Sequence, residues 1–183
     1  MIRWLYMILT QPKHFEIKTY WDGRACEDEK LWGTVDLEGT EEGLKMTATL
    51  PWQDMPKVPE VEEGERVANL WEYDVVECFL VGKEKYLEVE LGAGGHWLVL
   101  DFTAPRVRDN AYEDFLPTLE FKRNVGDGRW ESTIIIPWEM VPEGLRTANA
   151  FVIVGENYLC ATPLPGEKAD FHQPGKFEKL IIT

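Results

Sequence analysis

Hydrophobic and polar residues alternate along much of this chain, and the period is two. In residues 43 to 50, GLKMTATL, Leu44, Met46, Ala48 and Leu50 fall on one side and Lys45, Thr47 and Thr49 on the other. That is the pattern of a strand with one wet face. Residues 74 to 81 (DVVECFLV), 85 to 92 (KYLEVELG), 95 to 102 (GHWLVLDF), 129 to 138 (RWESTIIIPW) and 149 to 159 (NAFVIVGENYL) read as further strands. Turn signals punctuate them, among them Asp22-Gly23, Glu42-Gly43, Gly92 to Gly95, Asp127-Gly128 and Pro174-Gly175. No long stretch has a 3.6-residue period with caps, and residues 137 to 146 hold one helical turn at most. Short strands with frequent turns predict an all-β fold: an antiparallel β-sandwich with at most one or two short helical turns.

The chain has 183 residues, the length of one domain. Residues 14 to 183 are expected to form a single sandwich. Residues 1 to 13 read as an N-terminal extension or first strand. Their apolar run, Trp4 to Leu9, is short for a signal sequence and no small-residue cleavage site follows. Residues 51 to 69 form the longest break, rich in proline and acid. Long loops inside compact domains are commonly functional, and Trp52 in this one could cover a site as a lid.

Strand parity gathers acidic residues. Val76, Cys78 and Leu80 share one face of their strand, with Val75, Glu77 and Phe79 on the other. In the next strand Leu87, Val89 and Leu91 oppose Tyr86, Glu88 and Glu90. Gly82 and a few charged residues join the two, which predicts a hairpin. Residues two apart on a strand are ~6.6 Å apart and paired strands ~4.8 Å apart, so Glu77, Glu88 and Glu90 should be near neighbours. The purely apolar faces then turn inward. The acids line the outer side, either as a solvated face or as the polar floor of a binding site, with Trp71, Tyr73, His96 and Trp97 around them. Like charges side by side destabilise a sheet mildly, which favours a use for them.

Charge narrows the partners. The net charge is −14, from 33 acidic against 19 basic residues, with no local Lys/Arg run to offset it. Nucleic acid and anionic membrane surfaces are therefore poor partners. No segment has the apolar length of a membrane span. Cys26, Cys78 and Cys160 are too few and too scattered for a disulfide framework or a zinc site, which points to a reducing, cytoplasmic setting. Aromatic content is 12%, with eight tryptophans, more than a core of this size needs.

Four motifs occur in order: NLWEYDVVECFL with Tyr86-x-Glu88-x-Glu90, then a Gly-rich turn, then WESTIIIPW, then ADFHQPGKFEKLII. Together they resemble the β-sandwich of the family-9 carbohydrate-binding modules and the related DOMON-type domains. The likeness covers about residues 14 to 183. It is nearest to a small stand-alone branch, also found in animals, that carries Trp-Asp-Gly near its start, as Trp21-Asp22-Gly23 do here. The resemblance implies a carbohydrate-binding-module sandwich, jelly-roll-like in form. It implies that Trp71 stacks on a sugar ring and that Glu77 bonds its hydroxyls. Where those modules complete the sugar site with a second aromatic, this chain offers Phe171 or His172. Some of the modules hold structural calcium, and some DOMON domains hold haem. The acidic loop 54 to 65 has no recognised calcium-ligand spacing, and the His and Met positions have no haem-ligand spacing.

The residues thus expected at a ligand site are Trp71, Glu77, Glu88, Glu90, Arg106, His172, Tyr73 and His96. Arg106 or Arg108 could pair with Glu77 if it is enclosed. No cofactor or metal is assigned, and no residue is assigned as catalytic. The reading is a non-catalytic module for a neutral saccharide or polyol. Two alternatives stand beside it. One is a glycoside hydrolase using two of the glutamates, since paired carboxylates perform that chemistry. The other is a protein-interaction scaffold with a decayed sugar site. No nucleophile elbow, P-loop, dinucleotide fingerprint or HExxH occurs.

Overall fold

A computed structural model describes residues 12–124 and 126–180. The expectation of an extension or first strand over residues 1 to 13 falls largely outside them. Thirteen strands are described: β1 Lys13–Ile17, β2 Thr19–Tyr20, β3 Gly33–Gly39, β4 Gly43–Pro51, β5 Val75–Val81, β6 Tyr86–Gly92, β7 Trp97–Ala104, β8 Val107–Asn110, β9 Thr118–Arg123, β10 Arg129–Pro137, β11 Thr147–Val154, β12 Asn157–Cys160 and β13 Glu178–Lys179. They form two sheets. One runs β1-β3-β4-β10-β9; the other runs β2-β12-β11-β5-β6-β7-β8, with β13 also on β11. Every pairing between these strands is antiparallel. The antiparallel sandwich predicted from the alternation is what the chain adopts. Among the described residues helix is limited to three 3₁₀ turns, Glu29–Leu31, Leu70–Glu72 and Pro174–Lys176. The stretch 137 to 146 holds a hydrogen-bonded turn instead, with Met140 N–H donating to Pro137 O.

The core between the sheets follows the alternation. Leu44, Met46, Ala48 and Leu50 of β4 and Trp130, Ile134 and Ile136 of β10 meet Val76, Cys78, Leu80, Leu87, Val89 and Leu91 from β5 and β6. The outer face of β4 and β10 stays partly exposed, as the polar positions of the pattern require.

The other sheet departs from that pattern. Every residue of β5 and β6 is buried, and so are the first six of β7. The outer side of this sheet carries a second apolar cluster: Val75, Phe79, Tyr86, Leu98, Leu100, Phe102, Phe151 and Ile153, packed against Leu70, Leu164, Phe171 and Phe177. Residues after β12 thus return over the outer face and cover it.

The hairpin geometry that sets the site rests on two glycines. Gly82 opens the β5–β6 turn, and its N–H donates to Lys85 O. A Cβ there would meet Glu143 O at 2.6 Å, so a side chain has no room. Gly95 turns β6 into β7 at φ +79, where a Cβ would also meet Glu63 Cγ at 2.6 Å.

Candidate functional site

Register brings the three glutamates together. In the β5–β6 ladder Glu77 sits opposite Glu90 and Phe79 opposite Glu88. All three carboxylates therefore leave the sheet on its outer side, two from adjacent positions of β6 and one from β5. One oxygen from each lies within 4.8 Å of the others. The solvated-face alternative does not hold: Glu77 is 2% exposed, Glu88 4% and Glu90 0%. The apolar cluster around them and the returning segment exclude water from most of the face.

Where the cover is incomplete, a pocket of about 800 Å³ opens. Glu77 and Glu88 are on its floor. Its walls are Trp71, Phe79, Leu100, Phe102, Ile153, Tyr158, Ala169 and Phe171, and Arg106, Arg108, Lys168, Asp170 and His172 stand among them. Glu90 does not reach this surface and lies beside Glu77 and Glu88 on the same face of the sheet, fully buried.

Several local interactions fix the wall. Arg106 occupies the β7–β8 turn at φ 62, a left-handed conformation unusual for a side chain of its size. Its backbone N–H donates to Tyr86 Oη at 3.2 Å, and its guanidinium donates to Asp170 Oδ1 at 2.8 Å. The same Asp170 oxygen accepts from His172 N–H. Tyr86 stacks on Phe102, with ring centres 4.8 Å apart, and its hydroxyl lies 2.7 Å from His172 Nδ1. His172 Nε2 is then 3.9 Å from Glu88 Oε2. Phe171 stacks on Phe151 at 4.0 Å. One C-terminal tripeptide, Asp170-Phe171-His172, thus supplies a salt-bridge partner, an apolar wall and an imidazole.

Burial governs the electrostatics. It raises Glu77 well above the ordinary carboxyl value, and the nearby charge of Glu88 adds to the effect. Burial likewise raises Glu90, with Glu77 and Glu88 adding to it. Glu88 is pushed up to about 7 by burial, and the charges of Arg108 and Arg106 pull it back down. Burial lowers His172 to about 4, helped by Arg106, so its ring is neutral at pH 7.

Five of the eight residues expected at a ligand site line the pocket, Trp71, Glu77, Glu88, Arg106 and His172, and Glu90 is buried beside Glu77 and Glu88. Tyr73 and His96 do not line it. Tyr73 follows the 3₁₀ turn and packs under Lys57, whose Nζ is 5.6 Å from the ring centre. His96 is buried at the β6–β7 turn, where Nε2 meets Val61 O at 3.2 Å and helps hold the long loop down. Trp52 is no lid either: it packs toward the core between the sheets, with Arg123 over its ring at 4.2 Å. No arginine pairs with Glu77 among the described residues, since Arg106 is committed to Asp170. The acidic loop gathers no cation-sized set of carboxylates among the described residues; the one such set is Glu77, Glu88 and Glu90. Of the other wall residues, Phe79 and Asp170 lie within quoted motifs without having been singled out, and Leu100, Phe102, Ile153, Tyr158 and Lys168 had no motif to mark them. A faint signal did exist, because apolar residues occupy both parities of 75 to 81 and 97 to 102, as in a sheet buried on both sides.

Comparison with known proteins places relatives along nearly the whole chain. It is 36% identical over 181 residues to the UPF0462 protein C4orf33 homolog of Mus musculus, covering 92% of this chain and 91% of that protein. It is 31% identical over 180 residues to the Danio rerio homolog, covering 92% and 88%. To the Homo sapiens UPF0462 protein C4orf33 it is 33% identical over 170 residues, covering 86% and 82%. No protein-family model matches the chain. Among solved structures it is similar to a proposed carbohydrate-binding protein of Bacteroides uniformis ATCC 8492, with a TM-score of 0.68 over 91% of this chain and 84% of that one. Identity to that protein is 15%, so the likeness concerns the fold.

Proposed function

This chain belongs to the UPF0462 family, and from that starting point we propose that it is a non-catalytic binding module whose pocket takes a saccharide or similar polyol. The observation that carries this reading is the pocket itself: aromatic and aliphatic walls over a floor of buried carboxyls. A sugar offers the same combination in reverse, apolar C–H faces with hydroxyls around them. Trp71, partly exposed at the pocket wall, would stack on one ring face. Glu77 and Glu88 would exchange hydrogen bonds with hydroxyls, as donors when protonated and acceptors when ionised. Arg106 and His172 would line the rim. The sandwich of the Bacteroides protein lends the fold, and the family-9-like motifs lend the placement of Trp71 and Glu77.

The glycosidase reading is weaker. Inverting enzymes hold their carboxyls ~6.5 to 9.5 Å apart, which three carboxylates converging within 4.8 Å do not match, although the ~5 to 5.5 Å of retaining enzymes is close to it. Burial raises all three, so no environment separates an ionised nucleophile from a protonated acid. Three buried free thiols support a reducing setting for the module.

The test is a thermal-shift screen of wild type and Trp71→Ala against mono- and oligosaccharides. A ligand at 100 times its dissociation constant stabilises by ~2.7 kcal/mol, several degrees for a chain of this size. A shift seen with one sugar class and lost in Trp71→Ala is expected. No shift with any sugar overturns the proposal.

A further inference from the structure

The protein's five buried acids fall into two groups. Asp74 accepts from the N–H groups of Lys57 at 3.1 Å and Gly155 at 3.4 Å. Asp101 accepts from Tyr112 Oη at 3.0 Å and Lys85 Nζ at 3.4 Å. Each of these carboxylates has donors that offset its burial. Glu77, Glu88 and Glu90 accept from no donor outside their own group among the described residues, and Glu88 and Glu90 approach each other closely enough to share a proton. Glu90 is 0% exposed and neither of its oxygens has a hydrogen-bond partner outside that group, nor does Glu88 Oε2. Of the cations that line the pocket, Arg106 is engaged with Asp170, and Arg108 and Lys168 make no ion pair with any of the three glutamates among the described residues.

Buried polar groups are nearly always satisfied, and an orphaned carboxylate is among the most costly exceptions. Leucine would fit a sheet interior at such positions without that cost. Here three acids converge instead, with their oxygens within 4.8 Å of one another.

We propose that Glu77, Glu88 and Glu90 are the ligands of one hard divalent cation at the pocket floor. Carboxylate oxygens select magnesium, calcium or manganese over softer metals. A divalent charge would offset the three acids, which no Arg or Lys contacts directly among the described residues and which Arg108 and Arg106 offset only in part, from a distance. Glu90, buried beside them on the same face of the sheet, would hold the ion from the covered side, and Glu77 and Glu88 from the pocket side. The open pocket gives it an entry path and leaves coordination positions facing the cavity. His172 Nε2, 3.9 Å from Glu88 Oε2, borders the same space, and Tyr86 holds the far ring nitrogen in place. In the saccharide reading, on which this last step alone rests, ligand hydroxyls would complete the coordination shell.

The experiment uses the full chain, stripped with chelator. Titration with Mn²⁺, followed by electron paramagnetic resonance, should give one bound ion per chain, and Ca²⁺ and Mg²⁺ should compete for it. Glu90→Gln should weaken binding by at least ~10-fold. The double variant Glu62→Gln/Glu63→Gln, in the exposed acidic loop, should leave it unchanged. Should Glu90→Gln fold poorly, Glu77→Gln serves the same purpose. No saturable binding overturns the proposal, as does binding that both floor variants leave intact. Sugars are then titrated into the loaded and stripped protein. Cation binding with no sugar binding leaves the cation site standing and sinks the saccharide reading. Sugar binding to a protein that takes up no cation does the reverse.

Discussion

The five-stranded sheet buries one face and wets the other, while the eight-stranded sheet buries both along β5 and β6. On β4 and β10 the outward positions include Lys45, Thr47, Thr49, Glu131, Thr133 and Ile135, and Thr47 pairs with Thr133 across the strands through their hydroxyls. On β5 and β6 the outward positions are Val75, Glu77, Phe79, Tyr86, Glu88 and Glu90. The same period of two operates in both sheets. What differs is the outer set, too apolar in the second sheet to be left to water. The chain covers it with residues 164 to 177, and the gap in that cover is the pocket. Acids placed on such a face cannot be a solvated fringe. They become the floor of a low-dielectric site.

This contrast predicts its largest effect at Phe79. The ring contacts Tyr86, Phe151, His172 and Phe177 and is fully buried on the outer face. Phe79→Ala should cost ~3 to 5 kcal/mol, the scale of a core deletion. Urea denaturation measures it. A cost below 1 kcal/mol would mean that the outer face is solvated after all and that the two sheets are alike.

Much of this was legible in the alternation, and the rest was not for one physical reason. Parity is local, so it fixed which residues share a face: Leu44 with Met46, and Glu77 with Glu88 and Glu90. Hairpin signals fixed the β5–β6 pairing that sets Glu77 against Glu90. Cover is not local. Phe171 and Phe177 lie far along the chain from β5, and no period in the sequence reports where they will pack. Tyr73 and His96 lie off the pocket for the same reason. They stand near the glutamates in the chain, yet their partners are Lys57 and Val61 of the long loop. His172 was found because its motif carried it; Lys168 and Tyr158 had no such marker.

The next effect belongs to the buried acids and reads out in pH. Glu88 is held at about 7 against an ordinary 4.5. Between those values the folded protein binds more protons at this site than the unfolded chain does. Stability from this group is therefore fully present below pH 4.5 and is lost as pH rises through 7. Glu88→Gln stays neutral throughout. In chelator-stripped protein its stability advantage over wild type should grow by ~3 kcal/mol across that window. His172, held at about 4, contributes in the opposite sense, with stability lost as pH falls below 6.5 toward 4. Both proteins carry it, so its contribution cancels in the difference, which reports Glu88 together with its effect on Glu77 and Glu90. Paired urea melts from pH 4 to 8 measure it, and a flat difference would mean that Glu88 is in contact with water.

The smallest effect is expected on the wet face of the other sheet. Thr47 and Thr133 are directly opposed in the β4–β10 ladder, with their hydroxyls 3.0 Å apart. Both are only partly buried, so water can replace the bond when either hydroxyl is removed. Thr133→Ala should cost no more than ~0.5 kcal/mol, near the low end for a cross-strand pair. Thr133→Val, which keeps the β-branch and removes the hydroxyl, should cost less still. Placed beside Phe79→Ala, these values compare one outward position from each sheet. If Thr133→Ala instead approached the cost of Phe79→Ala, the outer face of β10 would have to be covered in solution by something beyond this chain, and the contrast between the sheets would be lost.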